Sequence, residues 1–141
     1  MSKNILILCT GNSCRSQIAE GYFKKFWPEE TIYSAGIEAH GLNPRAVLVM
    51  KEDGVDISHQ RSKSLEELPN LSWDMVITVC DHAREVCPVL PGKHRKLHAS
   101  FEDPAAAEGD EEAVLRIFRK VRDQIREFAR NISGTSVPNN S

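Results

Sequence analysis

The run Met75-Val76-Ile77-Thr78-Val79 offers almost nothing to water. A strand with one wet side alternates apolar and polar residues, so an unbroken apolar run bounded by polar residues marks a strand covered on both faces. Residues 4–8 form a second run of leucine and β-branched side chains that ends at Cys9, and residues 31–35, before Gly36, read as a third strand. Residues 96–101 are a weaker fourth candidate. Between these runs the apolar spacing becomes helical. Ile18, Ala19, Tyr22, Phe23 and Phe26 mark one face of a helix that Pro28 stops. Asn43-Pro44 provides an N-cap and a first-turn proline for a helix that carries Ala46, Val47 and Met50 and ends at Gly54. Ser64 with Glu67 three residues on caps a short helix ended by Pro69. From residue 110 onward Val114, Phe118, Val121, Ile125, Phe128 and Ile132 recur at helical spacing, with Gly134 as the stop. Strands alternating with helices call for parallel pairing and right-handed crossovers. The expected fold is therefore α/β, a three-layer sandwich with a four-stranded parallel sheet and helices on both faces.

At 141 residues the chain has room for one domain, expected over 1–134, followed by a polar tail, 135–141, expected to be disordered. A formal net charge of −2 gives no support to nucleic acid or an anionic membrane as partner. No apolar stretch approaches the ~20 residues needed to span a bilayer, and the N-terminus lacks the parts of a signal peptide. The expected location is the cytoplasm, where thiols are kept reduced and disulfides are transient or catalytic. Four cysteines in such a chain point to chemistry rather than stapling.

The first two cysteines stand in Cys9-Thr10-Gly11-Asn12-Ser13-Cys14-Arg15-Ser16, directly between a strand and a helix. In a parallel sheet, ligands bind outside the carboxyl ends of the strands. Unpaired amides at a helix start wrap an anion, Gly11 permits close approach and unusual dihedrals, and the Arg15 guanidinium fits two oxygens of a tetrahedral oxyanion. Thr10, Gly11, Asn12, Ser13, Cys14 and Arg15 are thus the expected anion-binding loop. The same surroundings favour a Cys9 thiolate, to which Ser16 can donate a hydrogen bond. Cys14, with no partner signal, is expected to be a packed small residue.

Asp103-Pro104 follows the fourth strand, so the Asp103 carboxyl would emerge at the same sheet edge and can protonate a leaving oxygen. Glu102 is its local competitor, and a turn or helix cap is the plainer reading of an Asp-Pro pair. Cys80 ends the third strand, and Cys87 follows in a loop or loose helix, just before Pro88. Were the segment a regular helix, the seven-residue step would span ~10 Å. A disulfide needs Cα atoms within about 7 Å, so a Cys80–Cys87 bond requires the segment to unwind. Cys80, His82 and Cys87 match no paired zinc pattern, so no metal is expected; His40, His59 and His98 read as surface or loop residues.

The loop of residues 9–16, Tyr33-Ser34-Ala35-Gly36, Cys80-x6-Cys87-Pro88 and Asp103-Pro104 together resemble the low-molecular-weight protein tyrosine phosphatase fold. Within it the chain is similar to the thioredoxin-coupled arsenate reductases. That resemblance implies a relay without an organic cofactor: Cys9 attacks arsenate while Asp103 protonates the departing oxygen, Cys80 resolves the adduct, and Cys87 yields an exposed Cys80–Cys87 disulfide for thioredoxin. Phosphate or sulfate would mimic arsenate. Some such enzymes bind potassium through residues matching Asn12, Glu20 and Ser34 plus an acid; here Lys63 occupies the acid's position, so its ammonium is expected to pair with Glu20 and replace the cation.

A phosphatase acting on phosphotyrosine or small phosphoesters is the alternative, since the loop alone does not separate phosphate from arsenate. It leaves Cys80 and Cys87 without a task, and neither Tyr22 nor Tyr33 is placed to wall the entrance with an aromatic ring. An arsenite-binding module would leave Asp103 and Arg15 unexplained. A monomer is expected.

Overall fold

β1 (Asn4–Cys9) runs through the middle of the sheet, with β2 (Thr31–Gly36) on one side and β3 (Met75–Thr78), then β4 (Arg95–His98), on the other. This is a computed structural model that describes residues 2–133; the helix stop expected at Gly134 and the tail 135–141 lie outside the described residues. All three pairings are parallel, with Leu6 opposite Tyr33 and Val76. The central strands are buried along nearly their whole length, as their unbroken apolar runs require.

One face is covered by α1 (Arg15–Phe26), against which α4 (Glu111–Ser133) packs, with α2 (Pro44–Glu52) alongside. The Ser34 hydroxyl of β2 donates to Glu20 of α1, which identifies that face. Tyr33 therefore points the other way, edge-on to Trp73 with ring centroids 5.1 Å apart. Among the described residues this second face carries only short pieces. They are a 3-10 turn (Leu65–Glu67), closed by the expected Ser64–Glu67 capping box, and α3 (Asp81–Val86). A third short piece, a 3-10 turn (Pro104–Ala106), leads into α4.

In the core, Phe23 of α1 and Phe118 of α4 are fully buried. Each such side chain contributes about 1.5–3 kcal/mol relative to exposure. Arg119, Arg122 and Arg126 of α4 reach Glu52 and Asp53 at the end of α2, and Asp53 also accepts the Tyr22 hydroxyl at 2.7 Å. α1 ends at Phe26 with Trp27 as its cap, so the stop expected at Pro28 is met. β4 spans Arg95–His98, where residues 96–101 were expected. Of the two readings for the segment after Cys80, loop or loose helix, the helix formed. No helix among the described residues is long and apolar enough to cross a membrane.

Candidate active site

β1 delivers Cys9 to the carboxyl edge of the sheet, and the chain then curls through residues 10–14 into α1. The loop's carbonyls are tied back on its outer side. Cys9 O accepts Ile37 N, Thr10 O accepts Glu38 N, Gly11 O accepts His40 N and Ser13 O accepts Asn43 N, at 2.9–3.2 Å. Asn12 O takes Gln17 Nε2 at 3.1 Å. With the carbonyls engaged outside, the peptide N–H groups turn to the concave side, joined there by the first amides of α1, which have no intrahelical acceptor.

Two glycines permit this closeness by size. A Cβ on Gly36 would meet Asn12 N and Thr10 O at 2.7 Å, and one on Gly11 would meet the His40 ring at 2.3 Å. The unusual dihedral expected at Gly11 belongs instead to Asn12, whose φ is 48°. Its side chain holds it there. Asn12 Oδ1 accepts from Lys63 N at 2.9 Å and Gln17 Nε2 at 3.0 Å, while Nδ2 donates to Ser16 Oγ at 2.7 Å and Ser34 Oγ at 2.9 Å. Gln60 braces Gln17 in turn at 2.8 Å. The Gln17–Gln60 contact has no short-range sequence signal, because the two residues are 43 positions apart.

The network has a direction. Ser34 gives its proton to Glu20, so it accepts from Asn12; Ser16 also accepts from Asn12, leaving its own proton for Cys9 Sγ, 2.9 Å away. The Asn12 amide points at the same sulfur from 3.3 Å. A negative charge on Cys9 thus finds two donors, both held by buried partners. Cys14 shares the loop but not this arrangement. It caps α1 without a side-chain bond, and burial pushes its thiol up to about 12.

Arg15 leaves the first turn of α1 and reaches across to the segment after β4, donating to Phe101 O at 3.1 Å. Its Nη2 stands 3.8 Å from Asp103 Oδ2. The other carboxylate oxygen of Asp103 caps the Pro104–Ala106 turn, accepting Ala105 N at 3.0 Å. The cap reading of Asp103 is met, and the same turn sets its carboxylate opposite Arg15. Glu102 turns away to Lys120 at 3.0 Å.

The expected Lys63–Glu20 pair is not formed. Glu20 pairs with Lys24 at 2.6 Å, one turn on along its own helix, and the Lys63 ammonium bonds to Arg61 O at 3.1 Å. Burial lowers the pKa of Lys63, and the charge of Glu20 opposes that shift.

Cys80 lies one residue past Val79, whose N–H bonds to Leu8 O at 2.9 Å, so it emerges beside Cys9. Its sulfur is buried, 3.3 Å from Thr10 Oγ1, and accepts Ala83 N at 3.4 Å as the N-cap of α3. Cys87 closes the other end of that helix, half-buried on the wall of a cleft of about 250 Å³ with Val76, Thr78, Lys96 and His98. Burial raises its pKa and Lys96 opposes the rise. All four cysteines are free thiols. Among the described residues no cluster of three or more His, Cys, Asp or Glu side chains is arranged to hold a metal ion. His98 corrects the sequence reading, since it lies in β4 and bridges β3 to α3; His40 is an exposed loop residue, as expected, whose ring lies against Gly11.

The sequence pattern of the family described as low molecular weight phosphotyrosine protein phosphatase matches residues 4–140. A Halalkalibacterium halodurans protein named arsenate reductase is 52% identical over 124 residues, 87% of this chain and 89% of that one. Among solved structures, an arsenate reductase in its oxidized state superposes with a TM-score of 0.80 at 30% identity, covering 94% of this chain and 97% of that one. An arsenate reductase in a phosphate binding state gives 0.76 at 31% identity with the same coverage.

Proposed function

Since this chain belongs to the low molecular weight phosphotyrosine protein phosphatase family, we propose that its cradle serves arsenate reduction rather than phosphoester hydrolysis. The observation that carries this reading is Thr10, which sits between two thiols: it follows Cys9 in the chain and touches Cys80 Sγ at 3.3 Å. A hydrolase has no use for a second buried sulfur at the rim of its anion site.

In the first step the Cys9 thiolate attacks arsenic(V) held by the loop amides and Arg15, while Asp103 gives a proton to the departing oxygen, which leaves as water. Proton donation of this kind is worth about 10²–10⁴-fold. The Cys80 thiolate then attacks Cys9 Sγ, and the pair of electrons in the sulfur–arsenic bond passes to arsenic, which leaves as arsenite. A Cys9–Cys80 disulfide remains. Cys87 attacks Cys80, Cys9 leaves as thiolate, and the resulting Cys80–Cys87 disulfide is reduced by an external dithiol of the thioredoxin type. The domain delimited at 1–134 carries the whole sequence of steps.

Phosphate and arsenate share charge and shape, so slow phosphoester hydrolysis by Cys9, Arg15 and Asp103 accompanies this activity. The test is arsenate-dependent NADPH oxidation with thioredoxin and its reductase. Cys80→Ser and Cys87→Ser should each abolish turnover while keeping the slow phosphatase activity. Undiminished arsenate turnover in both would refute the relay.

A further inference from the structure

His98 has no part in those steps, yet its ring is held at both nitrogens. Nδ1 lies 2.7 Å from Thr78 Oγ1 at the end of β3, and Nε2 lies 2.9 Å from Asp81 Oδ1 in the first turn of α3. A carboxylate only accepts, so Nε2 carries the hydrogen shared with Asp81. Asp81 directly follows Cys80, which caps the same helix. Ser100 lies near the Asp81 carboxylate, and Arg84 approaches it to 4.0 Å. Among the described residues the far end of α3 has no comparable tie: Val86 is 45% exposed, and Cys87 Sγ bonds to Pro88 O next to it, at 3.4 Å.

We propose that His98 is a positioning residue that pins α3 to the sheet in the dithiol form, so that the Cys80–Cys87 disulfide is harder to form and easier to reduce. This rests on the relay reading above. The helix holds Cys80 and Cys87 at its two ends, seven residues and ~10 Å of rise apart, too far for a disulfide. Closing the bond unwinds the segment and carries Asp81 off His98. An interaction present in one of two states shifts their balance by its whole worth. A disulfide whose dithiol form is stabilised is the stronger oxidant, and accepts electrons more readily from an external dithiol.

The test equilibrates the full chain, without arsenate, in mixtures of oxidised and reduced dithiothreitol. Two protein thiols give two electrons and two protons to the reagent's disulfide, which becomes a dithiol. Alkylation and peptide mapping then separate Cys80–Cys87 from any Cys9–Cys80 bond. His98→Ala and Asp81→Ala should each raise the oxidation constant about fivefold, the size expected of a partly exposed charge-assisted hydrogen bond. His98→Gln, which retains an N–H near the position of Nε2, should fall between them and the parent. The double variant should exceed neither single one, because both remove the same bond. Constants within twofold of the parent in both single variants, or additive effects in the double one, would overturn the pin and leave the relay standing. Failure of the parent to form any Cys80–Cys87 disulfide would overturn the relay and the pin together.

Discussion

The two thiol-bearing segments at the carboxyl edge of the sheet are built on opposite principles. From Cys9 to Gln17, carbonyls are tied outward and Asn12, Ser16 and Gln17 are fully buried in mutual hydrogen bonds. From Cys80 to Leu90, a six-residue helix is capped at one end by a sulfur, and it runs into Pro88 and a Val89 that is 99% exposed. A helix that short has almost no stability of its own and stands only through its contacts. The difference assigns the labour. Stabilising a transition state needs donors fixed in advance, whereas passing a disulfide from one sulfur to the next needs a chain that gives way.

Among substitutions that keep every thiol, the largest effect should come from the proton donor. Asp103→Asn is expected to slow formation of the arsenic adduct by about 10²–10⁴-fold, read by single-turnover arsenite release. Exchange among Cys80, Cys87 and an external dithiol should be unchanged. Glu102→Gln, which loses only an exposed pair with Lys120, should leave the first step within about twofold.

Next is Asn12→Ala. It strips four hydrogen bonds from buried partners and leaves an alanine at a φ of 48°, so a loss of about 3 kcal/mol is expected. The urea midpoint measures it, with the slope unchanged. If Val89→Ser costs as much, the contrast between the segments is wrong.

Cys14 gives a smaller, pH-dependent effect. Its folded-state pKa is raised to about 12 from an ordinary 9.0, so above the ordinary value the unfolded chain binds fewer protons than the folded one. Stability contributed by the protonated thiol is complete below pH 9.0 and is lost as pH climbs toward about 12. The slope is at most about 1.4 kcal/mol per pH unit. Cys14→Ala should flatten that decline in denaturation curves taken across the interval. Smallest of all, Val89→Ser should change stability by no more than about 0.5 kcal/mol.

Much of this was legible from residue order. The apolar run 75–79, the Asn43-Pro44 helix start and the Ser64–Glu67 capping box are local patterns, and each formed where it was read. The Cys9–Ser16 contact was readable from the loop motif, and the arrival of Asp103 at the carboxyl edge, where Arg15 meets it, from the order of the strands. What escaped was long-range or competitive. The Gln17–Gln60 brace and the His98 bridge join segments that only the folded sheet brings together. Lys63 lost Glu20 to Lys24, although the four-residue spacing of Glu20 and Lys24 on one helix was a visible signal. α3 formed where a loop was as good a reading, because six residues carry too little periodicity to decide.

Strand β4 brings one more consequence. Among the described residues it is paired on one side only, at the rim of the sheet, and it is four residues long with Arg95 and Lys96 exposed. Short cationic rims are poor templates for self-association, because a second copy would bring its own positive charges alongside. In the proposed cycle α3 comes away from this neighbourhood at every turnover. A rim of this kind lets the molecule open at each turnover without recruiting its neighbours into a fibre.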